Sequence, residues 1–395
     1  MSPILAGDIG GTRARFALLE PTGKKVLHQE VLESRGFPTF ESALDRFLEG
    51  AHSKVKIKGA IRAASFGIAG PVVDQRVKTT NLPWVIDAAT VSAEFRIERV
   101  TLLNDLVAVG LGALAASPSK LRSIHLGTPR RTGGNISVIA AGTGLGEASF
   151  VWDGSSHIAC PTEGSHVDFA PRTPTEVDLW NVLTREYGHV SYERVASGST
   201  IHVLYRFFVH DMRVPESEAE VSYVARAVDQ NVAVVDLAEK GTSEAAMRAV
   251  ELWCSVYGAE AGNLALKSLS TSGVYVCGGA SARLANVLAE GLPARRKTNG
   301  KKNGSRVGAT SSAPRSSPFL DAFFDKGRMR PLLEKMPVAI CLEPLAGLLG
   351  AAAHAAKEAA RPATRKPRAA IAKPAKPAPR KKHPNRHKKG ASATL

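Results

Sequence analysis

Two glycine-rich turns in the sequence have the residue types that bind phosphate. The first turn consists of Gly7, Asp8, Ile9, Gly10, Gly11 and Thr12. Apolar residues precede it, and residues 13–16 alternate polar and apolar, as in a half-buried strand. Adjacent glycines let the backbone approach a ligand and point its amides at phosphate oxygens, while Asp8 can hold a hydrated metal ion. Taken alone, the pattern fits an ordinary hairpin equally well.

The second turn repeats this plan within residues 137–152. It contains Gly142, Thr143, Gly144 and Gly146, with an apolar segment before it and alternating residues after it. Thr143, like Thr12, offers a hydroxyl as well as an amide. Two such units in one chain indicate a duplicated fold that holds a nucleotide between its halves.

Phosphoryl transfer also needs a base beside the acceptor hydroxyl. Asp105 follows the apolar segment 100–103 and precedes the apolar helix predicted at 106–114. It therefore lies at the carboxyl end of a strand and is the candidate base. The alternative is a helix N-cap, the commoner role for an aspartate at this position.

Candidates for binding the acceptor and the nucleoside lie further along the chain. Glu163 and His166 are three residues apart, and with Glu193 they offer two carboxylates and an imidazole to a polyol. The alternative is a hydrogen-bonded loop, with His166 and Asp168 tying the chain together. A metal site is disfavoured, because no nearby residue completes a tetrahedral ligand set. The pair Gly278 and Gly279, between a predicted strand and helix, could let an adenosine approach the backbone. By itself that pair is a weak signal.

The elements that must position these residues follow an α/β pattern. Residues 1–115 predict three strands, helix, strand, helix, strand and helix, the order of a ribonuclease-H-like layer with its ligand crevice at the strand ends. The predicted helices and strands after the first hairpin lie at 25–33, 40–48 (ended by Gly50), 60–68, 88–95, 100–103, 106–114, 176–186, within 194–240, at 244–269, 273–277, 336–342 and 345–356. One apolar stripe is expected on the long helix: Met247, Val250, Trp253, Cys254 and Tyr257.

The length of 395 residues favours two domains. We expect a small domain of residues 1–115 plus 342–358 and a large domain of 116–341, with a cleft between them. The formal net charge is +16, but residues 361–395 hold 12 Lys and Arg without an acid, and 295–315 hold 7 more. Removing the 12 and the 7 positive charges leaves −3 for the rest. We therefore predict a flexible basic insertion at 295–317 and a disordered basic tail at 359–395, which contacts a polyanion or is only a solvated extension.

Several features favour a cytoplasmic protein that contacts no membrane. No apolar run approaches the roughly 20 residues that span a bilayer, and the amino terminus lacks the pattern of a signal peptide. Four cysteines without paired spacing, Cys160, Cys254, Cys277 and Cys341, indicate buried thiols in a reducing compartment.

Nine motifs together resemble the bacterial glucokinases of the hexokinase, actin and heat-shock chaperone superfamily. In chain order they are GDIGGTRARFAL, TNLPW, LLNDL, AAGTGLGEA, EGSHVDFAP, GHVSYERVASG, GNLAL, VCGGA and PLAGLLGAAAH. The resemblance covers about residues 3–356 apart from 295–317, and EGSHVDFAP with GHVSYERVASG is highly specific. It implies an actin-like ATPase fold of two ribonuclease-H-like domains.

The resemblance also implies an activity, which is the phosphorylation of the glucose 6-hydroxyl by ATP with Mg²⁺. The matching sugar positions are Asn104, Asp105, Glu163, His166 and Glu193, with Asp105 as the base. The two glycine-rich turns match the phosphate motifs, and Gly278 and Gly279 match the adenosine motif. A homodimer is expected, since closed dimers are common among soluble enzymes.

Two residues depart from the family pattern. Arg13 stands where asparagine is usual, and it either adds positive charge near the phosphates or faces solvent. Ser165 stands where a second glycine is common. The related repressor and kinase branch carries a zinc-binding cysteine cluster. This sequence has neither that cluster nor an N-terminal helix-turn-helix pattern, which argues against that branch. Two alternatives stay open: a sugar-sensing or nucleic-acid-associated protein that acts through its tail, and a sugar kinase that uses polyphosphate.

Overall fold

Two β-sheets with helices packed against them form the architecture of the protein. The computed structural model describes residues 2–56, 59–128, 133–293 and 317–362. Both sheets belong to one unit, Met1–Ala360, and Arg361–Leu395 are a second unit. The predicted division into a small and a large domain therefore stays a prediction. No helix in the described ranges is long and apolar enough to cross a membrane.

The first sheet is built from residues before Asp105. Its elements and a short accessory hairpin are β1 (Ile4–Ile9), β2 (Arg13–Leu19), β3 (Val26–Glu33), α1 (Phe40–Lys54), β4 (Ala63–Ile68), β5 (Arg76–Lys78), β6 (Val85–Asp87), α2 (Ala88–Phe95), β7 (Arg99–Asn104) and α3 (Asp105–Ala115). The strand order is β3-β2-β1-β4-β7. Strands β1, β4 and β7 are parallel, and β1 forms the predicted antiparallel hairpin with β2. The carboxyl ends of the three parallel strands therefore meet at one edge.

Close packing fixes the centre of this sheet. A Cβ on Gly7 would lie 2.6 Å from the ring of Phe66, so β1 requires glycine there. Phe66 also packs edge-on against Phe40 of α1, with ring centroids 5.0 Å apart. A capping box between Thr39 and Ser42 begins α1. The prediction that Gly50 ends this helix is wrong: a glycine in a helix interior costs only about 1 kcal/mol, and α1 continues to Lys54.

The second sheet and its helices follow from residue 121 onward. They are β8 (Leu121–His125), β9 (Ile136–Ala141), β10 (Leu145–Trp152), β11 (His157–Thr162), α4 (Pro174–Tyr187), α5 (Glu193–Ala196), α6 (Ile201–Arg206), α7 (Glu218–Arg226), α8 (Gln230–Lys240), α9 (Glu244–Ser268), β12 (Gly273–Cys277), α10 (Gly279–Arg283), α11 (Ala285–Glu290), α12 (Pro318–Phe324), α13 (Arg330–Leu333), β13 (Val338–Cys341) and α14 (Ala346–Ala360). The strand order is β11-β10-β9-β12-β13-β8. Strand β9 forms the second predicted hairpin with β10 and pairs in parallel with β12.

Helix α9 is the centre of the larger apolar core. The five residues of the predicted stripe are all buried, but so are residues on other faces, such as Ala249, Leu252 and Val256. The single stripe is thus an incomplete description, since most of the helix is surrounded by protein.

Helices α3 and α14 cross at close range through two glycines. A Cβ on Gly112 would lie 1.8 Å from the carbonyl oxygen of Ala346, and one on Gly350 would lie 1.8 Å from that of Ala108. Helix α14 also packs on β1 and β4, so the chain returns to the first sheet after completing the second.

The two basic segments fall almost entirely outside the described residues. Of the predicted insertion, Ser317 is described, and its side chain caps α12. Of the predicted tail, residues 359–362 are described, and α14 runs to Ala360. The rest of both predictions lies outside the described residues.

Candidate active site

A cavity of about 570 Å³ lies where the parallel strands of both sheets end. The predicted site residues that line it are Gly10, Gly11, Thr12, Asn104, Asp105, Gly142, Thr143, Gly144, Gly146, Glu163, His166, Glu193 and Gly278. Four predicted residues, Gly7, Asp8, Ile9 and Gly279, are not part of its lining. The structure thus brings together residues from positions 10 to 278 of the chain.

Asp105 is the first residue of α3 and lies in the cavity wall. Burial raises the pKa of its carboxyl to about 7, and the negative charges of Asp8 and Glu163 act in the same direction. The Leu106 amide donates a hydrogen bond of 2.9 Å to its Oδ1, which opposes the shift. A carboxylate with a pKa near neutrality has the proton affinity that a general base needs.

The N-cap of α3 is Asn104, not Asp105. Its side-chain oxygen accepts hydrogen bonds from the amides of Leu106 and Val107, at 3.0 and 3.3 Å. The alternative that Asp105 serves as the cap is therefore wrong. With its neighbour in that role, Asp105 is left to face the cavity.

The polar residues predicted to bind the sugar surround one imidazole. His166 Nε2 lies 3.9 Å from a Glu163 oxygen, and Nδ1 lies 3.8 Å from Oε1 of Glu193. The second Glu193 oxygen accepts a hydrogen bond of 3.0 Å from the Leu145 amide. A Cβ on Gly144 would lie 2.4 Å from that same oxygen. Glu193 thus lies next to both a predicted sugar-binding side chain, His166, and the second glycine-rich turn.

Asp168 has a different position. Its side chain is exposed and lies 3.3 Å from His189 Nδ1, while His189 Nε2 contacts the carbonyl oxygen of His166. Asp168 also forms an isolated bridge with Ser191. These contacts join two segments of the chain, which is the role that the alternative interpretation of this loop gave to Asp168.

Open space above the backbone marks where a ligand can approach. A Cβ placed on Gly142 or on Gly279 would meet no atom within 4 Å. Gly278, by contrast, has φ of +94°, and a Cβ there would lie 2.3 Å from the carbonyl oxygen of Ala141. Glycine is required at 278 by packing, and the neighbouring backbone is accessible to a nucleoside.

The second glycine-rich turn is held from outside by the loop after α5. The Gly198 amide donates to the carbonyl oxygen of Gly142 at 2.9 Å, and the Ser199 hydroxyl donates to that of Thr143 at 2.7 Å. These two hydrogen bonds hold the turn against the neighbouring loop.

Asp8 is the predicted metal partner, and it is not part of the cavity lining. Arg15 Nη1 donates to its Oδ2 at 3.1 Å. Burial raises the pKa of the Asp8 carboxyl, and the Arg15 charge opposes that rise. No group of three or more His, Cys, Asp or Glu in the described part of the chain could hold a metal ion. The carboxylate of Asp8 suits a hydrated Mg²⁺, which takes oxygen ligands and keeps several waters.

Sequence reasoning missed five polar or charged residues that line the cavity: Arg35, Thr80, Asn81, Glu147 and Thr162. Thr80 and Asn81 belong to the TNLPW motif, which was a usable signal. Glu147 belongs to AAGTGLGEA, but nothing in its spacing set it apart. It is 1% exposed, and burial together with the Glu260 charge raises its pKa. A Cβ on Gly164 would lie 2.4 Å from its carboxyl, so Glu147 packs directly under the turn that carries His166.

The sequence of this chain is similar to those of known glucokinases. A family model described as Glucokinase matches residues 5–300 and 307–358. The glucokinase of Trichormus variabilis is 35% identical over 373 residues, which cover 90% of this chain and all of that protein. The glucokinase of Yersinia pestis is 32% identical over 351 residues, covering 89% and 95%.

Solved structures show the same fold. A glucokinase from an Antarctic psychrotroph is 26% identical with a TM-score of 0.70, covering 90% of this chain and 99% of that one. The glucokinase of Balamuthia mandrillaris, solved with glucose, is 18% identical with a TM-score of 0.68, covering 90% and 93%. A ROK family glucokinase from Streptomyces griseus, solved with glucose and AMPPNP, is 18% identical with a TM-score of 0.57, covering 90% and 100%. The last two show the fold alone, and together the three confirm the predicted actin-like ATPase fold.

Proposed function

The chain belongs to the glucokinase family and phosphorylates glucose with ATP, and from this premise we propose that Asp105 is the general base for the sugar 6-hydroxyl. The observation that carries the proposal is the position of Asp105. Its carboxyl, with a pKa of about 7, lines the same cavity as both glycine-rich turns. A base beside two phosphate-binding turns is the arrangement that phosphoryl transfer requires.

The reaction is a proton transfer coupled to displacement at phosphorus. The 6-hydroxyl oxygen attacks the γ-phosphorus of ATP while its proton passes to the Asp105 carboxylate. The bond from that phosphorus to the bridging oxygen breaks, and ADP leaves with the bond's electron pair. Little covalent chemistry falls to the protein, so orientation and charge stabilisation supply most of the catalysis.

The sugar is oriented by residues that accept and donate hydrogen bonds. Carboxylates can accept two hydroxyls at once, which suits Glu163 and Glu193 on either side of His166. Asn104 lies beside Asp105 and uses its side-chain oxygen for the helix cap. Its amide nitrogen donates one hydrogen to the carbonyl oxygen of Gly70 at 3.4 Å, which leaves the second hydrogen to donate to the sugar.

The phosphates are held by backbone amides of the two glycine-rich turns, and the adenosine lies against the open backbone at Gly279. Mg²⁺ bound with ATP would neutralise phosphate charge. Asp8 would hold that ion through water, because Arg15 already occupies Oδ2 of its carboxylate.

Steady-state kinetics on purified protein tests the proposal. We expect glucose-dependent ADP release with ATP and Mg²⁺, and a loss of roughly 10²- to 10⁴-fold in kcat for Asp105→Asn, the usual contribution of a general base. Glucose affinity, measured by calorimetry, should change much less. Asp178→Asn is the matched control, since Asp178 is an exposed residue of α4 outside the cavity.

Three results would contradict the proposal. They are a wild-type protein without ATP-dependent turnover of glucose, a faster reaction with polyphosphate than with ATP, and an Asp105→Asn variant as active as Asp178→Asn.

A further inference from the structure

A short helical turn, Ser34–Gly36, is bonded to the first glycine-rich turn. The Ser34 hydroxyl donates to the carbonyl oxygen of Gly10 at 2.8 Å, and the Ser34 amide donates to that of Thr12 at 3.0 Å. Ser34 itself is fully buried. These two bonds fix the backbone of the next residue, Arg35, beside the candidate phosphate-binding amides.

Arg35 lines the cavity and is exposed there. Among the described residues that form the lining, it is the one lysine or arginine. Its guanidinium has no ion pair within the described part of the chain. Arg15, in comparison, is engaged by Asp8 at 3.1 Å.

Arg13, which the sequence suggested as a positive charge near the phosphates, has another position. It is exposed at the start of β2, opposite Glu33 of β3, and it is not part of the cavity lining. The positive charge on this side of the cavity therefore comes from Arg35.

The chemistry of the cavity indicates what Arg35 binds. Carboxyl groups of Asp105, Glu163 and Glu193 line it, so a polyphosphate entering beside them meets negative charge. A guanidinium offers only donors, in a planar fork that matches phosphate oxygens. We propose that Arg35 binds the terminal phosphoryl group of ATP and stabilises its negative charge during transfer. This inference rests on the proposed function.

The test compares Arg35→Gln and Arg35→Lys with the matched control Arg13→Gln, which removes an exposed arginine from the neighbouring hairpin. We expect Arg35→Gln to lower kcat roughly 10- to 100-fold, as for the loss of hydrogen bonds to a charged group. The KM for glucose and the calorimetric affinity for ADP, which lacks the transferred group, should stay at wild-type values. Arg35→Lys should recover part of kcat, because it keeps the charge without the fork.

The outcomes separate this inference from the proposed function. If wild type fails to phosphorylate glucose, the proposed function is refuted. If wild type is active and Arg35→Gln matches Arg13→Gln, the role of Arg35 is refuted. A variant with weaker glucose or ADP affinity and unchanged kcat also refutes it, since Arg35 would then bind the sugar or the part of the nucleotide that is not transferred. Thermal melts of both glutamine variants should match wild type, because Arg13 and Arg35 are exposed.

Discussion

At the scale of single residues, we expect the environment of Asp105 to set the pH dependence of glucose phosphorylation. Burial raises the pKa of its carboxyl to about 7, with the charges of Asp8 and Glu163 contributing. A general base acts in its deprotonated form. We therefore expect kcat/KM for glucose to rise with pH, to reach half its maximum near pH 7 and to level off above it. The measurement is a rate profile from about pH 5.5 to 9 at constant ionic strength.

Removing one of the responsible charges tests the cause of this pH dependence. Glu163→Gln removes a negative charge that favours the protonated form of Asp105, so the rising limb should move to lower pH even though sugar binding weakens. Asp178→Asn should leave the limb in place. A flat profile over this range, or a limb that Glu163→Gln shifts upward, would contradict the assignment of the limb to Asp105.

Residue roles were harder to predict than residue positions. Spacing placed Asn104 and Asp105 at a strand end, but only Asp105 was considered as the cap of α3, although asparagine is an equally good cap. Only the backbone geometry gives the cap to Asn104. Arg35 carried no signal at all, since its place in the cavity depends on the bonds that Ser34 makes to a turn 24 residues earlier.

At the scale of elements, the strands of the first sheet were predicted, including its edge strands β3 and β7. The edge strands of the second sheet and the short hairpin β5–β6 were not. The hairpins β1–β2 and β9–β10 are confirmed. Strands β8 and β11 lie at the edges of the second sheet, and they were missed because neither contains a fully buried residue. The periodicity of apolar residues reports burial, so a strand without buried residues gives no such pattern to detect.

The close crossing of helices α3 and α14 was not predicted from the sequence. Because Gly112 and Gly350 have no side chains, the backbones of α3 and α14 are in direct contact. Gly350→Ala should therefore destabilise the protein by about 2 kcal/mol or more, even though alanine is the better helix former, because overpacking outweighs propensity. Chemical denaturation gives the free energy of unfolding.

The control for this substitution lies on the same helix. Ala353 is exposed on α14, and Ala353→Ser should change the free energy of unfolding by less than about 0.5 kcal/mol. If Gly350→Ala were as stable as wild type, the close approach of the two helices would be wrong.

At the scale of the whole molecule, the charge is unevenly distributed along the chain. The segments 295–315 and 361–395 account for more than the whole formal net charge of +16, leaving a mildly acidic remainder. The cavity and its acids belong to that remainder. Net charge is therefore no guide to the substrate here, although it does bear on which macromolecules the chain attracts. The expected homodimer stays a prediction, which light scattering on the purified protein would test.

The basic tail gives the last prediction, which concerns an activity separate from catalysis. Residues 361–395 hold 12 Lys and Arg and no acid, so we expect the full chain to bind duplex DNA in low salt through counterion release. The logarithm of the binding constant should fall linearly with the logarithm of salt concentration, by about 0.9 for each phosphate neutralised. A chain truncated after Ala360 should lose this binding yet keep the kcat and KM of the full chain for glucose, because no cavity residue is removed. Equal DNA binding by both chains would place the contact elsewhere, and loss of glucose phosphorylation on truncation would show that the tail acts in catalysis.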